Sequence, residues 1–318
     1  MVPIDLITGF LGAGKTTFLL RYARYWLRQG KKIGILVYDH GAVNVDMPLL
    51  QELRGERCEL EMLAAGCDLD CRRRRFRTKL IAMGMCGYDR VLIEPSGVFD
   101  MDDFFDTLRE SPLDRWYEPG SVITVVDAKL EDETSAEEDF FLASQAASAG
   151  RIVFSRCQLA TPEELERAKA HLLRAAREIG CTASLEKRML AKDWAELTDA
   201  DFAALARCGY DTADYEKTIA GQVSEFQSLS FLNLALSGEK LRAACEELLR
   251  DGRFGRILRV KGFFREGECW FRLNATADVF RVEPAQESSG ALLVIGSALD
   301  EDAISLLLTG HRPEHRLL

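Results

Sequence analysis

Histidine is scarce in this chain of 318 residues, which contains only His40, His171, His311 and His315. So few histidines argue against bulk storage of a transition metal. Long apolar runs are also lacking, since none approaches the ~20 residues of a membrane-spanning helix. Basic charge is not in excess, because 41 lysines and arginines face 51 acids and the formal net charge is −10. That balance disfavours nucleic acid or an anionic membrane as the main partner.

No stretch of the chain has the pattern of a secretory signal. A glycine-rich motif begins at residue 9, which leaves no room for a signal peptide before it. We therefore expect a cytoplasmic protein, whose nine cysteines are reduced thiols or metal ligands rather than disulfides. Hydrophobic residues make up 47% of the chain, enough for a sizeable core in one to three domains.

The first half of the chain alternates short apolar runs with helical patterns. Continuous apolar strands separated by helices predict an α/β fold, a mostly parallel sheet covered by helices on both faces. A helix is expected over residues 15–29, and residues 161–217 are expected to be mostly helical. The predicted strands are residues 4–8, 33–38, 91–93, 122–126 and 152–154.

The pattern changes after about residue 222, where strand-like runs dominate. This predicts a smaller α+β domain over residues 222–318, after a nucleotide-binding domain over residues 1–221. The strands predicted there are 257–264, 269–273, 279–282 and 291–295, and the helices are 239–249 and 300–308.

Residues 9–16 read Gly-Phe-Leu-Gly-Ala-Gly-Lys-Thr and fit the phosphate-binding pattern G-x-x-x-x-G-K-[ST] between a strand and a helix. Glycines let backbone N–H groups close around phosphate oxygens, and the helix N-terminus adds positive potential. Lys15 is expected to neutralise the β- and γ-phosphates and Thr16 to ligate Mg²⁺. The motif predicts a nucleoside triphosphatase. The nucleotide-binding residues predicted here are Gly9, Gly12, Ala13, Gly14, Lys15, Thr16 and Thr17.

A second element of the site is an acidic strand end. Residues 88–94 form an apolar strand that finishes at Glu94, and the strand ends of open parallel sheets face the ligand crevice. Glu94 would hold the Mg²⁺ shell or orient water, and the backbone N–H of Gly97 would meet the γ-phosphate. We expect Lys15, Glu94 and Gly97 to serve catalysis. Hydrolysis should be slow, because the sequence offers no obvious strong activator of water.

Residues 94–97, Glu-Pro-Ser-Gly, taken with residues 9–16, resemble the E-x-x-G signature of the CobW/HypB/UreG family of GTPases. Residues 39–46 resemble its switch segment and residues 125–128 its V-V-D-A strand, while residues 260–296 resemble the CobW C-terminal domain. The likeness covers nearly all of the chain.

That resemblance is greatest for the CobW-like branch, whose members are metallochaperones or candidates for that role. It implies GTP and Mg²⁺ as ligands, with Asp39 or Asp46 helping to hold Mg²⁺ through water. It also implies a client, either a metalloprotein or a cofactor-dependent enzyme, to which metal or cofactor is delivered when the γ-phosphate is lost.

The guanine-reading motif N-K-x-D of the family falls on Ser155, Arg156, Cys157 and Gln158. Gln158 offers one carbonyl acceptor without charge, so it cannot accept the two hydrogen bonds that an aspartate accepts from guanine. Arg156 would still stack its stem or guanidinium on the base. GTP is therefore the expected nucleotide, and ATP is the alternative.

The metal motif G-C-x-C-C of the family falls on residues 66–71, Gly-Cys-Asp-Leu-Asp-Cys, and only its first two positions match in register. Cys67 and Cys71 would share one face of a helix and could then bind Zn²⁺ or another transition metal. The alternative is that both are ordinary reduced thiols. The groups that would complete the site are Cys58, Asp68, Asp70 or a partner protein.

Five arginines occupy residues 72–77. Three interpretations are open. The run is a solvated helical face, it is a docking surface for an acidic partner, or one of its arginines reaches the nucleotide across a homodimer. Two other functions stay open for the whole chain. One is a small-molecule kinase, and the other is a nucleotide-switched assembly factor for a metalloenzyme that carries no metal itself.

Overall fold

A computed structural model of the chain describes residues 1–39, 47–64, 69–130, 134–212, 226–232, 234, 236–276, 280–285 and 290–311. The described residues divide into two compact units: residues 1–39 and 49–212 form the first, and residues 226–311 together with residues 47–48 form the second. Predictions for Asp46, Gly66, Cys67, Asp68 and His315 lie outside the described residues, and only the backbone is described for Asp39, Asp70 and Arg72.

A parallel sheet forms the centre of the first unit. Its seven strands in the described part of the chain are β1 (Val2–Thr8), β2 (Ile33–Asp39), β3 (Cys58–Ala64), β4 (Arg90–Glu94), β5 (Tyr117–Asp127), β6 (Arg151–Ser155) and β7 (Met189–Leu190). They are hydrogen-bonded in the order β3-β2-β4-β1-β5-β6-β7, and every neighbouring pair is parallel. The carboxyl ends of all these strands therefore meet at one edge.

Helices connect these strands, and local capping fixes the first turns of α6 (Ala136–Ala147) and α7 (Pro162–Glu178). Ser135 and Glu138 form a reciprocal capping box at α6, and Thr161 and Glu164 form another at α7, which satisfies N–H groups that the first turn leaves open. The helices are α1 (Lys15–Arg28), α2 (Met47–Leu50), α3 (Leu69–Gly84), α4 (Met101–Arg109), α5 (Leu113–Trp116), α6 (Ala136–Ala147), α7 (Pro162–Glu178) and α8 (Asp199–Leu205). Short 3₁₀ turns lie at Gln51–Leu53, Glu186–Arg188 and Trp194–Glu196.

The core of the first unit explains its sequence pattern. The last five residues of β1 and the last four of β4 and β6 are buried. Strands covered on both faces need continuous apolar runs rather than alternation. This architecture confirms the predicted α/β fold.

Two strands of this sheet were not predicted. β3 carries Glu59 and Glu61 between apolar residues, a pattern suited to an edge strand whose polar side chains reach water. β7 has only two residues and lies within the segment that was expected to be mostly helical. That helical segment is interrupted because α7 stops before Gly180, which has a φ of 71° and ends the helix in the left-handed conformation.

The second unit contains an antiparallel sheet with helices, which confirms the predicted smaller α+β domain. Among the described residues, its strands follow the order β11-β10-β9-β12-β8, and Leu241, Leu248 and Val260 belong to its core. The strands are β8 (Phe226–Leu232), β9 (Arg256–Glu266), β10 (Cys269–Ala275), β11 (Phe280–Ala285) and β12 (Ala291–Ser297). The helices are α9 (Gly238–Arg250) and α10 (Glu301–Thr309), with a 3₁₀ turn at Gly252–Phe254. In the described part of both units, no helix combines the length and the apolar character required to cross a bilayer.

Candidate nucleotide-binding site

The glycine-rich loop joins the end of β1 to the start of α1 at the carboxyl edge of the sheet. Gly9 has a φ of 140°, and a Cβ at this position would lie 2.2 Å from the carbonyl oxygen of Val125. Only glycine can therefore start the loop so close to β5. The first turn of α1 has no acidic residue of its own, and the N-terminus of the helix contributes positive potential to the loop.

Lys15 folds back over this loop. Its Nζ donates hydrogen bonds to the carbonyl oxygens of Gly9, at 2.9 Å, and of Phe10, at 3.3 Å. The side chain is buried, so its charge is held above the loop. Phosphate oxygens are charged acceptors and bind an ammonium group more strongly than neutral carbonyls do. The position fits the predicted contact with phosphates.

Thr16 and Glu94 meet at the ends of two neighbouring elements. Thr16 Oγ1 donates a hydrogen bond of 2.7 Å to Glu94 Oε1, and both side chains are buried. β4 lies beside β1, which brings the last residue of β4 next to the first turn of α1. A hydroxyl and a carboxylate form an all-oxygen donor set of the kind that Mg²⁺ prefers, so these residues fit the predicted metal.

The turn after β4 packs directly on the phosphate loop. A Cβ built at Gly97 would lie 2.5 Å from the backbone nitrogen of Leu11 and 2.9 Å from the carbonyl carbon of Phe10. No side chain can be accommodated at so close an approach without movement of the backbone. The two segments that were predicted separately to contact the phosphates are therefore in contact with each other.

Gln145 of α6 links these two segments, and the sequence reading missed it. Its Oε1 accepts a hydrogen bond of 2.9 Å from the backbone N–H of Gly9, and its Nε2 donates one of 2.9 Å to the carbonyl oxygen of Gly97. The side chain is fully buried. An amide in the mostly apolar second half of α6 was the available signal, since buried polar groups require partners.

The base-reading segment follows β6 at the same edge. Arg156, with a φ of 56°, donates through Nη2 to the carbonyl oxygen of Gly12 at 2.9 Å and forms an ion pair with Asp127. Ser155 is buried, whereas Gln158 is exposed. The structure thus brings Ser155 and Arg156 to the phosphate loop and leaves the Gln158 side chain in solvent.

Trp194 is a second residue that the sequence reading missed. A Cβ at Gly14 would lie 3.4 Å from its indole ring, which also packs edge-on against Phe18 with ring centroids 5.4 Å apart. The loop after β7 also reaches Cys157. Burial raises the pKa of this thiol, the backbone N–H of Lys192 opposes that rise, and the nearby carboxylate of Asp193 adds to it. The ends of β6 and β7 therefore adjoin one another beside the loop.

Of the predicted Mg²⁺-shell aspartates, only the backbone of Asp39 is described. In the register of β2 with β4, Val37 pairs with Glu94, so β2 ends two residues beyond Glu94 at the same edge. This position is compatible with the expected role of the switch segment. Asp46 lies outside the described residues.

The cysteine segment is described in part. Cys71 lies near the start of α3 and is partly exposed, whereas Cys58 is buried in β3. Burial and the neighbouring charge of Glu59 raise the pKa of Cys58 to about 11, so this thiol is protonated at neutral pH. Among the residues that the structure describes, no group of three or more His, Cys, Asp or Glu side chains could hold a metal ion.

The arginine run on α3 makes ion pairs with the end of α4. Arg73 and Arg77 both contact Glu110, at 2.8 and 3.0 Å, and Arg77 also donates to the carbonyl oxygen of Ser111. Arg74 and Arg75 are exposed. The run is therefore not simply a solvated face, because two of its members join α3 to the turn that follows α4.

Two family models match the chain. Residues 3–181 match "CobW/HypB/UreG, nucleotide-binding domain", and residues 232–311 match "Cobalamin synthesis protein cobW C-terminal domain". The first match covers more than half of the 318 residues.

Several curated proteins resemble the chain in sequence. The zinc chaperones YeiR and YjiA of Escherichia coli are 31% and 32% identical over 165 and 174 residues. Each alignment covers 51% of this chain and, respectively, 49% and 52% of the relative, so the matched region spans about half the length of these relatives. The zinc-regulated GTPase metalloprotein activator 1 of Schizosaccharomyces pombe is 22% identical, over 92% of this chain and 79% of that protein.

Two solved structures also align with the chain. Zn(II)-bound YjiA GTPase from E. coli aligns over 98% of this chain and 99% of its own, with 22% identity and a TM-score of 0.37. The hydrogenase maturation factor HypB from Archaeoglobus fulgidus aligns over 60% of this chain and 81% of its own, with 17% identity and a TM-score of 0.38.

Proposed function

The chain belongs to the CobW/HypB/UreG family, and on that premise we propose that it binds and slowly hydrolyses GTP to deliver a metal ion or cofactor to a client protein. The observation that carries the proposal is the buried contact between Thr16 and Glu94 beside Lys15. It joins the phosphate loop to the acidic strand end that the family signature contains.

Each side chain of the loop has a distinct part in this proposal. Lys15 exchanges the carbonyls of Gly9 and Phe10 for β- and γ-phosphate oxygens, and backbone N–H groups of the loop bind the remaining oxygens. Arg156 donates a hydrogen bond to the carbonyl oxygen of Gly12 from the side of the loop where the base would lie. Gly97 contacts the loop closely enough to report the presence of a γ-phosphate. These contacts bind and orient the nucleotide, and catalysis of this type depends mainly on such positioning and charge stabilisation.

Thr16 and Glu94 are the residues that would hold Mg²⁺, with Asp39 or Asp46 contributing through water. The metal ion supplies positive charge that stabilises the phosphates during transfer. Because Glu94 accepts the Thr16 hydroxyl proton in a hydrogen bond, the two oxygens already lie close together before any ion binds. The expectation of slow hydrolysis comes from the sequence, which offers no obvious strong activator of water.

Zinc is the cargo that the relatives' names favour, since YeiR and YjiA are described as zinc chaperones. In this chain the proposed cargo ligands are Cys67 and Cys71. Cys71 lies on the same helix as Arg73 and Arg77, which contact Glu110 at the end of α4. The turn before α4 contains Gly97, so loss of the γ-phosphate could be transmitted through α4 to α3.

A second candidate is a nucleotide-switched assembly factor that carries no metal. The observation that favours it is the departure at residues 66–71, where only the first two positions match the family's G-C-x-C-C. Two thiols alone do not complete a zinc site, which takes four ligands in structural proteins. In this candidate the same nucleotide cycle would control a client through protein contacts alone.

A paired zinc titration separates the two candidates. Zn²⁺ affinity is measured with GDP and with a non-hydrolysable GTP analogue, in the wild type and in the Cys67→Ser/Cys71→Ser double variant. For a metal carrier we expect about a tenfold difference between the two nucleotide states, the same factor appearing when nucleotide affinity is measured with and without zinc.

The double variant should lose that difference, whereas the control Cys269→Ser, at an exposed cysteine of the second unit, should keep it. Tight zinc binding that survives the double substitution would place the cargo elsewhere. Nucleotide binding with no zinc binding in the wild type would leave the assembly factor as the function.

A further inference from the structure

Gln145 is the side chain whose contacts suggest a role beyond folding. It bonds simultaneously to Gly9, 136 positions away, and to Gly97, 48 positions away, both at 2.9 Å. The first partner begins the phosphate loop, and the second belongs to the turn expected to meet the γ-phosphate. One buried amide thus spans the two segments that surround the transferred group.

A neutral amide suits this bridge, because it carries an acceptor and a donor side by side on one group. Gly9 presents an N–H, which requires an acceptor, and Gly97 presents a carbonyl, which requires a donor. Asparagine and glutamine carry both functions on one planar group. Because the side chain is fully buried, water cannot replace either partner, and loss of the amide would leave both backbone groups unsatisfied.

A rigid element holds Gln145 in place. The backbone carbonyl of Gln145 accepts a hydrogen bond of 2.9 Å from Thr124 Oγ1 of β5, which fixes the helix to the central sheet. The same Gly9 whose N–H contacts Gln145 accepts the ammonium group of Lys15 through its carbonyl oxygen. A continuous series of contacts therefore runs from Lys15 through Gly9 and Gln145 to Gly97.

We propose that Gln145 is a positioning residue, which sets the spacing between the phosphate loop and the Gly97 turn and thereby the discrimination between triphosphate and diphosphate. The inference rests on the proposed function. A diphosphate binds through the loop alone, so its affinity depends little on where the Gly97 turn lies. A γ-phosphate contacts both segments, so its binding and its hydrolysis depend on their spacing.

The test compares nucleotide affinities in wild type, Gln145→Met and Gln145→Asn. Methionine keeps the approximate volume and removes both hydrogen bonds, whereas asparagine keeps the amide but is one methylene too short to span both partners. We expect the ratio of GDP to GTP-analogue dissociation constants to fall about tenfold in Gln145→Met, the scale of one or two buried hydrogen bonds. Gln145→Asn should lower the ratio in the same direction, and single-turnover hydrolysis should slow in both.

Ser144→Ala is the matched control, because Ser144 is a buried polar neighbour on α6 whose hydroxyl bonds only within the helix, to the carbonyl oxygen of Phe141, among its described contacts. It should leave the ratio unchanged. Equal losses of GDP and analogue affinity in the Gln145 variants, or an unchanged ratio, would overturn the inference while leaving the proposed function intact. A wild type that binds no triphosphate would overturn the proposed function itself and this inference with it. If Gln145→Met does not fold, the ratio in Gln145→Asn decides the matter.

Discussion

The phosphate end and the base end of the crevice are built differently. At the phosphate end, Lys15, Thr16 and Glu94 are all buried and each contacts another part of the site. At the base end, Arg156 is partly exposed and Gln158 is exposed. The chemistry common to every triphosphate thus depends on side chains that are fixed from several directions. The groups predicted to read the base have fewer constraints, so we expect substitutions there to change selectivity without disturbing phosphate binding.

The largest effect should come from removing the cation at the phosphate end. For Lys15→Ala we expect triphosphate affinity to fall about 100-fold or more, about 2.7 kcal/mol, because two charge-assisted contacts are lost. Nucleotide titration measures this, and circular dichroism checks that the fold remains. Arg24→Ala is the control, since Arg24 lies on the exposed side of the same helix and pairs with Glu52. Unchanged affinity in Lys15→Ala would remove the distinction between the two ends.

A smaller effect should follow when Glu94 loses its charge and keeps its shape. Glu94→Gln retains an oxygen that can accept the Thr16 hydroxyl proton but removes the carboxylate proposed to hold Mg²⁺. We expect Mg²⁺-dependent hydrolysis to fall about tenfold, the scale of one charge-assisted contact.

The measurement for Glu94→Gln is single-turnover hydrolysis across a range of Mg²⁺ concentrations. GDP affinity without Mg²⁺ should be nearly unchanged, and Glu118→Gln, at an exposed position of β5, serves as the control. A Mg²⁺ dependence identical to that of the wild type would show that other groups hold the ion.

The smallest effect is expected at the base end. Gln158→Asp supplies the carboxylate that the guanine-reading motif lacks, and we expect selectivity for GTP over ATP to rise about fivefold, about 1 kcal/mol. Solvent exposure of this position places the expected gain at the low end for a charge-assisted contact. Competition binding with GTP and ATP measures it. Strong discrimination already present in the wild type would mean that other groups, such as those beside Trp194, read the base.

The sequence leads directly to a prediction for the phosphate end because its parts are local. A strand, a glycine-rich loop and a helix follow one another within residues 1–28, and the spacing of Lys15 and Thr16 is set by the loop itself. The acidic end of β4 could be added because parallel strands finish at one edge. The smaller α+β part of the fold was predicted from the change in pattern near residue 222.

The residues that were missed depend on contacts between distant parts of the chain. Gln145 lies in the mostly apolar second half of α6, and its partners are 136 and 48 positions away. Trp194 follows β7, a strand of two residues within a segment expected to be helical. Hydrophobic periodicity and secondary-structure propensity describe single helices and strands. They do not reveal which side chain contacts a loop that is distant in the sequence.

Two glycines near the phosphates are required for different reasons. Gly12 has a φ of 81°, and among the described residues no atom outside its chain neighbours lies within 4 Å of a Cβ built on it. Glycine is favoured there because L-residues rarely adopt this left-handed backbone conformation. At Gly97 the nearest backbone atom is 2.5 Å from such a Cβ, so glycine is favoured there because a side chain has no space. A D-amino acid introduced by chemical synthesis would suit the backbone at Gly12. At Gly97 an L-side chain would force apart the two segments that are predicted to contact the phosphates.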